Sequence, residues 1–324
     1  MSENTLTATA LPCFVQDLGH GVYAIDTAFH RDHFDAAYLV VHGGRAAFID
    51  TGTAFAVPRL LAALDALGVA REAVERVIPT HVHLDHAGGV GQLMQALPSA
   101  RLLVHPRGAR HMIDPGALWQ GALAVYGDEE MRRSYGELLP VDAARVDTSH
   151  DGQVLLLAGR ELLFADTPGH ARHHHCIWDV TSRGWFTGDT FGLSYREFDT
   201  PERGPWIVPT STPVQFDPPA LDASIARLLA TDPTCMYLTH FGRVEGVPRL
   251  AALLRRQVAQ MVALGQRLRA MPDRKTALKA GLLDIYAGSV AEHGCRYTRD
   301  EVAALLAIDI ELNAQGIEVW LDRP

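Results

Sequence analysis

Cysteine is scarce in this sequence, with four residues among 324 and no C-x-x-C pair. The four are Cys13, Cys176, Cys235 and Cys295. Spacing this wide suggests neither a disulfide framework nor a cysteine metal knuckle. A reducing compartment is the simplest environment for such a chain, and we therefore expect a cytoplasmic protein.

Long apolar runs and positive charge are also lacking. No run approaches the roughly 18 residues of a membrane-spanning helix, and residues 1–5 carry a glutamate where a secretory signal would have basic residues. The 29 Lys and Arg against 38 Asp and Glu give a formal net charge of −9. This balance argues against a broad phosphate-binding surface. We expect a small-molecule substrate, no nucleic acid and no membrane.

Histidine, by contrast, is concentrated in one segment, since residues 81–86 read His-Val-His-Leu-Asp-His. Because His is 16 of 324 residues, this combination arises by chance in only about one chain in several hundred. The apolar segment before it predicts a buried strand, so that His81 and His83 face one side and can share an ion. Asp85 and His86 fall near a helix start and can turn toward a second ion. An exposed polar loop is the alternative.

Three more imidazole or carboxylate groups each follow a short predicted strand in a turn-rich setting. They are His170 after residues 161–165, Asp189 after 184–187 and His240 after 235–239. Each alone is weak evidence, since a His after Gly is more often a turn residue and an Asp after Gly is commonly a helix cap. Their joint order with the 81–86 cluster is what favours a metal site over these alternatives.

The complete series, over about residues 20–243, resembles the ligand series of the metallo-β-lactamase superfamily. The resemblance implies an αββα sandwich with the site at one edge of the two sheets. It also implies one metal ion held by His81, His83 and His170, a second held by Asp85, His86 and His240, and Asp189 bridging both.

Two further features carry the same resemblance. Asp50 resembles the family's acidic residue at a strand end, where it either orients a ligand histidine or caps a turn. Residues 167–175 read Thr-Pro-Gly-His-Ala-Arg-His-His-His and resemble a largely uncharacterised bacterial and archaeal branch of the superfamily. A glyoxalase II-like thioesterase is the other branch that a helical C-terminal region fits.

The ligand set favours hydrolysis. Cations that share an oxygen lower the pKa of a bridging water toward neutrality, from 15.7 in bulk water to about 7. We therefore predict a hydrolase that uses a metal-bridged hydroxide on an ester, thioester or lactone of a small molecule. Two divalent ions are expected, with zinc as the default and iron or manganese as alternatives. An iron-dependent oxygenase of the persulfide dioxygenase type and a non-catalytic metal-binding or sensor protein remain as alternative functions.

The sequence does not single out the residue that protonates the leaving group. His173, His174, His175 and Tyr195 can all serve, although alternate residues of a strand that starts at 175 can simply face core or solvent. We prefer His173 as the side chain in the pocket. The predicted catalytic residues are therefore Asp85, Asp189 and His173.

The chain divides into a predicted catalytic domain over residues 1–245, with an insertion at about 105–150, and a helical C-terminal region over 246–324. Residues 191–219 contain six prolines together with aromatic residues, and we interpret them as a wall of the active site. An ordered surface loop without a role is the alternative.

Two helices are predicted in the C-terminal region. Leucines at helical spacing mark one helix that reaches Leu268, and the capping pattern Thr298-x-x-Glu301 opens another that stops at Gly316. We expect their apolar stripes to dock on the catalytic domain, and a homodimer interface is the alternative use.

Overall fold

Strands and helices alternate along the computed structural model, which describes residues 11–211 and 214–323. Residues 1–5 and, in the predicted wall, Thr212 and Pro213 lie outside the described residues. The strands are β1 (Val15–Asp17), β2 (Val22–Asp26), β3 (Ala36–His42), β4 (Arg45–Ile49), β5 (Val74–Ile78), β6 (Arg101–Val104), β7 (Val146–Thr148), β8 (Val154–Leu157), β9 (Arg160–Asp166), β10 (His175–Asp179), β11 (Gly184–Gly188), β12 (Cys235–Leu238) and β13 (Gly242–Val244). The helices are α1 (Val57–Ala66), α2 (Leu84–Ala87), α3 (Val90–Ala96), α4 (Pro106–Ile113), α5 (Gly116–Tyr126), α6 (Asp128–Glu130), α7 (Pro218–Leu229), α8 (Val247–Leu268), α9 (Arg274–Glu292), α10 (Arg299–Leu305) and α11 (Ala307–Leu321).

The first sheet contains β1 to β7 in sequence order. Strands β1 to β4 pair antiparallel, whereas β4 to β7 pair in parallel. The predicted turn between β3 and β4 is present at Gly43 and Gly44, with φ of 53° and 75°. A two-residue hairpin turn of this kind needs positive φ at both positions, which glycine adopts at no steric cost. Because β4 and β5 run in parallel, Asp50 and residues 81–86 follow at the same edge.

The second sheet has the strand order β13-β12-β11-β10-β9-β8. Strand β10 pairs antiparallel with both β9 and β11, and β11 pairs in parallel with β12. Strands β9, β11 and β12 therefore run in the same direction and end at one edge of the sheet. The residues that follow these three strands, among them His170, Asp189 and His240, are brought together for that reason.

The two sheets pack face to face and are covered by helices on both outer faces. Buried side chains of both sheets, such as Tyr38 and Phe186, form the core between them. Helices α1 and α3 cover the first sheet, and the second sheet packs against α7 and the C-terminal helices. This confirms the predicted αββα sandwich with a helical C-terminal region. No helix among the described residues is long and apolar enough to cross a membrane.

The C-terminal region differs from the prediction in three respects. Helix α9 was not predicted, and the single helix predicted from Thr298 is divided at Leu306 into α10 and α11. The predicted stop at Gly316 is also wrong, because α11 continues through this residue to Leu321. Gly316 is buried, and packing of the surrounding helix outweighs the low helix propensity of a single glycine. The capping box of Thr298 and Glu301 is present as predicted. The domain boundary at 245 and the insertion at 105–150, which here ends in β7 of the first sheet, stay predictions.

A buried ion pair in the second sheet also contacts the first sheet. Arg160 Nε donates to Asp179 Oδ1 at 2.8 Å, and both side chains are fully buried. Arg160 Nη1 also donates to the carbonyl oxygen of His20 at 2.5 Å, in the turn between β1 and β2. One guanidinium therefore connects the second sheet to the first.

We expect Asp179→Ala to lower the free energy of unfolding by about 3–5 kcal/mol, because the buried Arg160 charge loses its partner. Urea denaturation followed by tryptophan fluorescence measures this change. The matched control is Asp222→Ala, which removes an exposed ion pair with Arg255 and should cost about 1 kcal/mol or less. Equal effects of the two variants would contradict a structural role for the buried pair.

Candidate metal centre

All seven residues predicted as ligands lie at one edge of the sandwich. Four of them lie in the loop and short helix α2 after β5, and the other three follow β9, β11 and β12. They form two groups in which the ligand atoms lie within 4.8 Å of one another: His81, His83, His170 and Asp189 in the first, and Asp85, His86 and His240 in the second.

The first group consists of three imidazoles and one carboxylate oxygen. His81 Nε2 lies 2.7 Å from His83 Nδ1, and His83 Nδ1 lies 3.2 Å from His170 Nε2. His170 Nε2 is also 3.2 Å from Asp189 Oδ2. Four donor atoms thus converge on one point, with His83 using its Nδ1 and the other two histidines their Nε2.

The second group shares Asp189 with the first. His240 Nε2 lies 3.4 Å from Asp85 Oδ2, and His86 Nε2 lies 3.8 Å from the same oxygen. His86 Nε2 is also 3.3 Å from Asp189 Oδ1. The two oxygens of Asp189 therefore face different groups, which is the arrangement that a bridging carboxylate needs.

The donor atoms fit divalent metal ions. Tetrahedral ligands at metal distances of 2.0–2.2 Å lie about 3.4 Å from one another. The separations given above are 3.2–3.8 Å, apart from 2.7 Å between His81 Nε2 and His83 Nδ1. His86 Nε2 and Asp189 Oδ1 are buried, make no well-formed hydrogen bond among the described residues and lie 3.3 Å apart. Buried polar atoms without hydrogen bonds are costly, and a cation bound by both would satisfy them. Imidazole and carboxylate donors without sulfur suit zinc, iron and manganese.

Asp50 contacts His86 at Nδ1, the ring nitrogen that does not face the ligand group. The residue follows β4 with φ of 56°, and its Oδ2 lies 2.8 Å from His86 Nδ1. The same carboxylate accepts hydrogen bonds from the Thr80 backbone N–H at 2.6 Å and from Thr239 Oγ1 at 2.8 Å. Of the two roles considered for Asp50, the geometry therefore favours orientation of a histidine, since its Nε2 is left to face the ligand group.

Backbone carbonyls orient two more histidines in the same way. His240 Nδ1 lies 2.8 Å from the carbonyl oxygen of Phe34, and His170 Nδ1 lies 3.4 Å from that of Thr210. Each of these partners directs the opposite nitrogen, Nε2, toward the ligand group. None of these partners was predicted, because a backbone acceptor leaves no pattern in residue type.

The two groups differ in their electrostatics. Burial lowers the pKa of His86, but the carboxylates of Asp189, Asp50 and Asp85 more than offset it and hold the pKa well above the usual range. The pKa of His240 is raised to about 9, because burial, which lowers it, is outweighed by the hydrogen bond that the ring donates to the Asp85 carboxylate and by the charge of Asp189. Protons thus balance the buried carboxylates here, and a bound cation would take their place.

In the first group, burial is the main influence. It lowers the pKa of His81 and His83 well below the usual value, and the neighbouring imidazoles lower both further. Burial also lowers the pKa of His170, although the carboxylate of Asp189 opposes it. Neutral imidazoles are the form that binds a metal ion, so these three histidines are ready to act as ligands at neutral pH.

Three of the four candidates for the leaving-group acid are occupied elsewhere. His174 Nδ1 lies 3.0 Å from Thr167 Oγ1, and His175 bonds to Ser149 and to the Pro79 carbonyl. The Tyr195 hydroxyl donates to Asp309 Oδ1 at 3.0 Å. The hydrogen bonds of these three side chains therefore hold the fold together. For the two histidines this agrees with the alternative that residues at a strand end simply face the core.

His173 lines the cavity beside the ligands, as Tyr195 does. Its Nδ1 lies 3.4 Å from the Val82 backbone N–H, and burial lowers its pKa to about 3. At neutral pH the ring is therefore neutral, with its proton on Nε2. Such a ring can donate a hydrogen bond but is not an imidazolium acid, and the catalytic role of His173 stays a prediction.

A cavity of about 700 Å³ opens beside both ligand groups. The segment at 191–219 contributes Leu193, Tyr195, Thr210 and Ser211 to its lining, so the described part of the segment is a wall of this cavity, and its role in an active site stays a prediction. Helices α5 and α11 contribute further lining residues. The contribution of α11 was not predicted, because an apolar helix pattern does not reveal which surface the helix faces.

Comparison with known proteins gives a consistent picture. The family described as the metallo-beta-lactamase superfamily matches residues 31–240. The metallo-beta-lactamase fold-containing protein ST1585 of Sulfurisphaera tokodaii is 27% identical, over 53% of this chain and 62% of its own length. The acyl-coenzyme A thioesterase MBLAC2 of Gallus gallus is 28% identical over 53% of this chain and 63% of its own. The atrochrysone carboxyl ACP thioesterase of Aspergillus fumigatus is 30% identical over 47% of this chain and 38% of its own length.

The matches span less than two thirds of the length of these relatives. The crystal structure of ST1585 superimposes with a TM-score of 0.64 at 21% identity and covers 92% of this chain and 98% of its own. The likeness thus extends beyond the matched sequence and into the C-terminal region. At this identity it concerns the fold alone.

We expect Asp50→Asn to weaken metal binding about 10–100-fold, because His86 loses the carboxylate that orients its ring. Asparagine tolerates the left-handed backbone of this position, so that the fold is kept. Competition with a chromogenic chelator measures the affinity. The control is Asp26→Asn, since this buried carboxylate accepts hydrogen bonds from the backbone N–H groups of Ala28 and His33. An unchanged affinity in Asp50→Asn would contradict the orienting role.

Proposed function

Because the chain belongs to the metallo-β-lactamase superfamily, we propose that it is a metal-dependent hydrolase of an ester, thioester or lactone of a small molecule. The observation that carries this proposal is Asp189, whose two oxygens face two ligand groups on the wall of one cavity. Two relatives bear the names of thioesterases, and a thioester is therefore the bond that we put first.

The proposal assigns two metal ions. The residues that would hold them are His81, His83 and His170 for one, Asp85, His86 and His240 for the other, and Asp189 for both. Bound there, divalent ions lower the pKa of a coordinated water toward neutrality and polarise the substrate carbonyl. Zinc is the proposed metal, and iron and manganese fit the same donors.

The protein's own side chains supply orientation and a dry environment. Asp50 and the Phe34 carbonyl fix two imidazoles, so that little reorganisation is needed when substrate enters. Apolar side chains such as Phe29 and Leu193 line the cavity beside them and exclude water from the reacting bond. For His173, which lines the same cavity, the proposed role is donation of a hydrogen bond from Nε2–H to the leaving group.

Metal analysis combined with a substrate screen tests this proposal. We expect purified protein to contain about two equivalents of zinc and to hydrolyse acyl thioesters faster than lactones or phosphodiesters. A chelator should stop turnover, and added zinc should restore it. Iron together with oxygen uptake on a persulfide would instead indicate an oxygenase. Bound metal without turnover on any substrate would indicate the metal-binding or sensor alternative.

Asp189→Ala tests the bridging role. We expect a loss of at least about one metal equivalent and a fall in kcat/KM of at least about a hundredfold, because both groups lose a ligand. Metal content by mass spectrometry and thioester hydrolysis are the two measurements. Asp222→Ala, on the surface of α7, serves as the control. Wild-type metal content and turnover in Asp189→Ala would overturn the bridging role.

A further inference from the structure

Helix α5 presents an exposed apolar face to the cavity. Ala117, Gly121 and Val125 are spaced four residues apart, are exposed and line the cavity, so that they form one stripe along the helix. The helix consists mainly of apolar residues, and Gln120 is its only amide or charged side chain. None of its residues is buried. Trp119 and Leu123 of the same helix pack against the core and are not among the lining residues of the cavity.

Other apolar side chains of the same cavity are exposed as well. Ile308 of α11 is 41% exposed, Val214 is 61% exposed, and Val125 of α5 is 37% exposed. Exposed apolar groups that converge on one cavity are typical of a binding site for an apolar ligand. Among the charged residues of the lining, Arg133 pairs with Glu130 and does not offer a free charge to a polar ligand.

Gly121 leaves space where any other residue would fill it. A Cβ atom built at this position has no heavy atom within 4 Å, and the backbone does not have a positive φ. Glycine is the poorest helix former apart from proline, so neither helix stability nor backbone conformation explains its presence in the middle of α5. Gly121 lines the cavity, so a larger side chain at this position would occupy space beside it.

We propose that the wall formed by α5 and α11 binds the aliphatic acyl chain of the substrate, and that Gly121 sets the longest chain that the cavity accepts. The inference rests on the proposed function for the reacting thioester or ester bond. The presence of an acyl chain on the substrate is inferred from the exposed apolar lining of the cavity. A volume of about 700 Å³ lies within the range of about 300–1,000 Å³ that is usual for small-molecule sites.

Binding of straight-chain carboxylic acids from four to sixteen carbons tests the chain site without hydrolysis. Measured by calorimetry on the full-length protein, the affinity should rise about fourfold for each methylene group until the cavity is filled. The carboxylate contributes equally along the series, so that the slope reports the chain alone. Affinity that does not depend on chain length, or no binding at any length, would overturn the proposal.

Gly121→Phe tests the role of the glycine. We expect the rise in affinity to stop at a shorter chain and the longest acids to bind at least tenfold more weakly, with an intermediate effect for Gly121→Ala. The matched control is Gly288→Phe, at an exposed position of α9 that is equally open and outside the cavity lining. Both substitutions replace a helical glycine, so a difference between them reflects the cavity. Identical profiles would overturn the role of Gly121.

Hydrolysis of acyl thioesters over the same chain lengths separates this inference from the proposed function. If the thioesters are cleaved and the length limit shifts in Gly121→Phe, both proposals are supported. If nothing is cleaved but the acids bind with the expected dependence on length, the proposed function fails and the chain site stands. Cleavage at equal kcat/KM for all lengths in wild type and variant would overturn the chain site alone.

Discussion

The buried carboxylate of Asp50 is the constraint on which the candidate centre depends. It follows a strand of the first sheet, yet it accepts a hydrogen bond from Thr239, which follows a strand of the second sheet, and one from the backbone of Thr80. A buried carboxylate without such donors is costly. The loops of both sheets must therefore meet at this point, and the orientation of His86 by the same carboxylate follows from that meeting.

The arrangement at this edge could be predicted from the sequence because it is local. Each donor follows a predicted strand, and the joint order of His170, Asp189 and His240 with the cluster at 81–86, together with the family resemblance, was enough to predict them as ligands. The loop before Asp189 also approaches Thr80 and His174 closely, and glycine at position 188 makes this possible. Gly188, with φ of 45°, would place a Cβ 2.5 Å from Thr80 Oγ1 and 2.6 Å from His174 Nε2, and glycine avoids both contacts.

The rest of the site could not be predicted, because it depends on contacts between distant parts of the chain. Tyr195 donates to Asp309 over 114 residues of sequence, and the backbone N–H of Ser211 donates to Asn313 over 102. These bonds attach the segment at 191–219 to α11 of the C-terminal region. An apolar stripe in the sequence shows that a helix buries one face, but it does not show which loop that face holds.

The two sides of the cavity are stabilised differently, and this difference separates the reaction from the choice of substrate. On the ligand side, buried imidazoles and carboxylates are held by several hydrogen bonds, so that a change in one residue disturbs the others. On the α5 side, no residue of the helix is buried, and a side chain at Gly121 would have space around it. Changes in α5 can therefore alter the shape of the cavity without moving the residues of the ligand groups. An apolar group that fills this side also excludes water from the ligand side, where a lower dielectric strengthens every charge interaction. In the proposed function, the residues that select the substrate are therefore separate from the metal ligands, although substrate bound on the α5 side would strengthen the interactions on the ligand side.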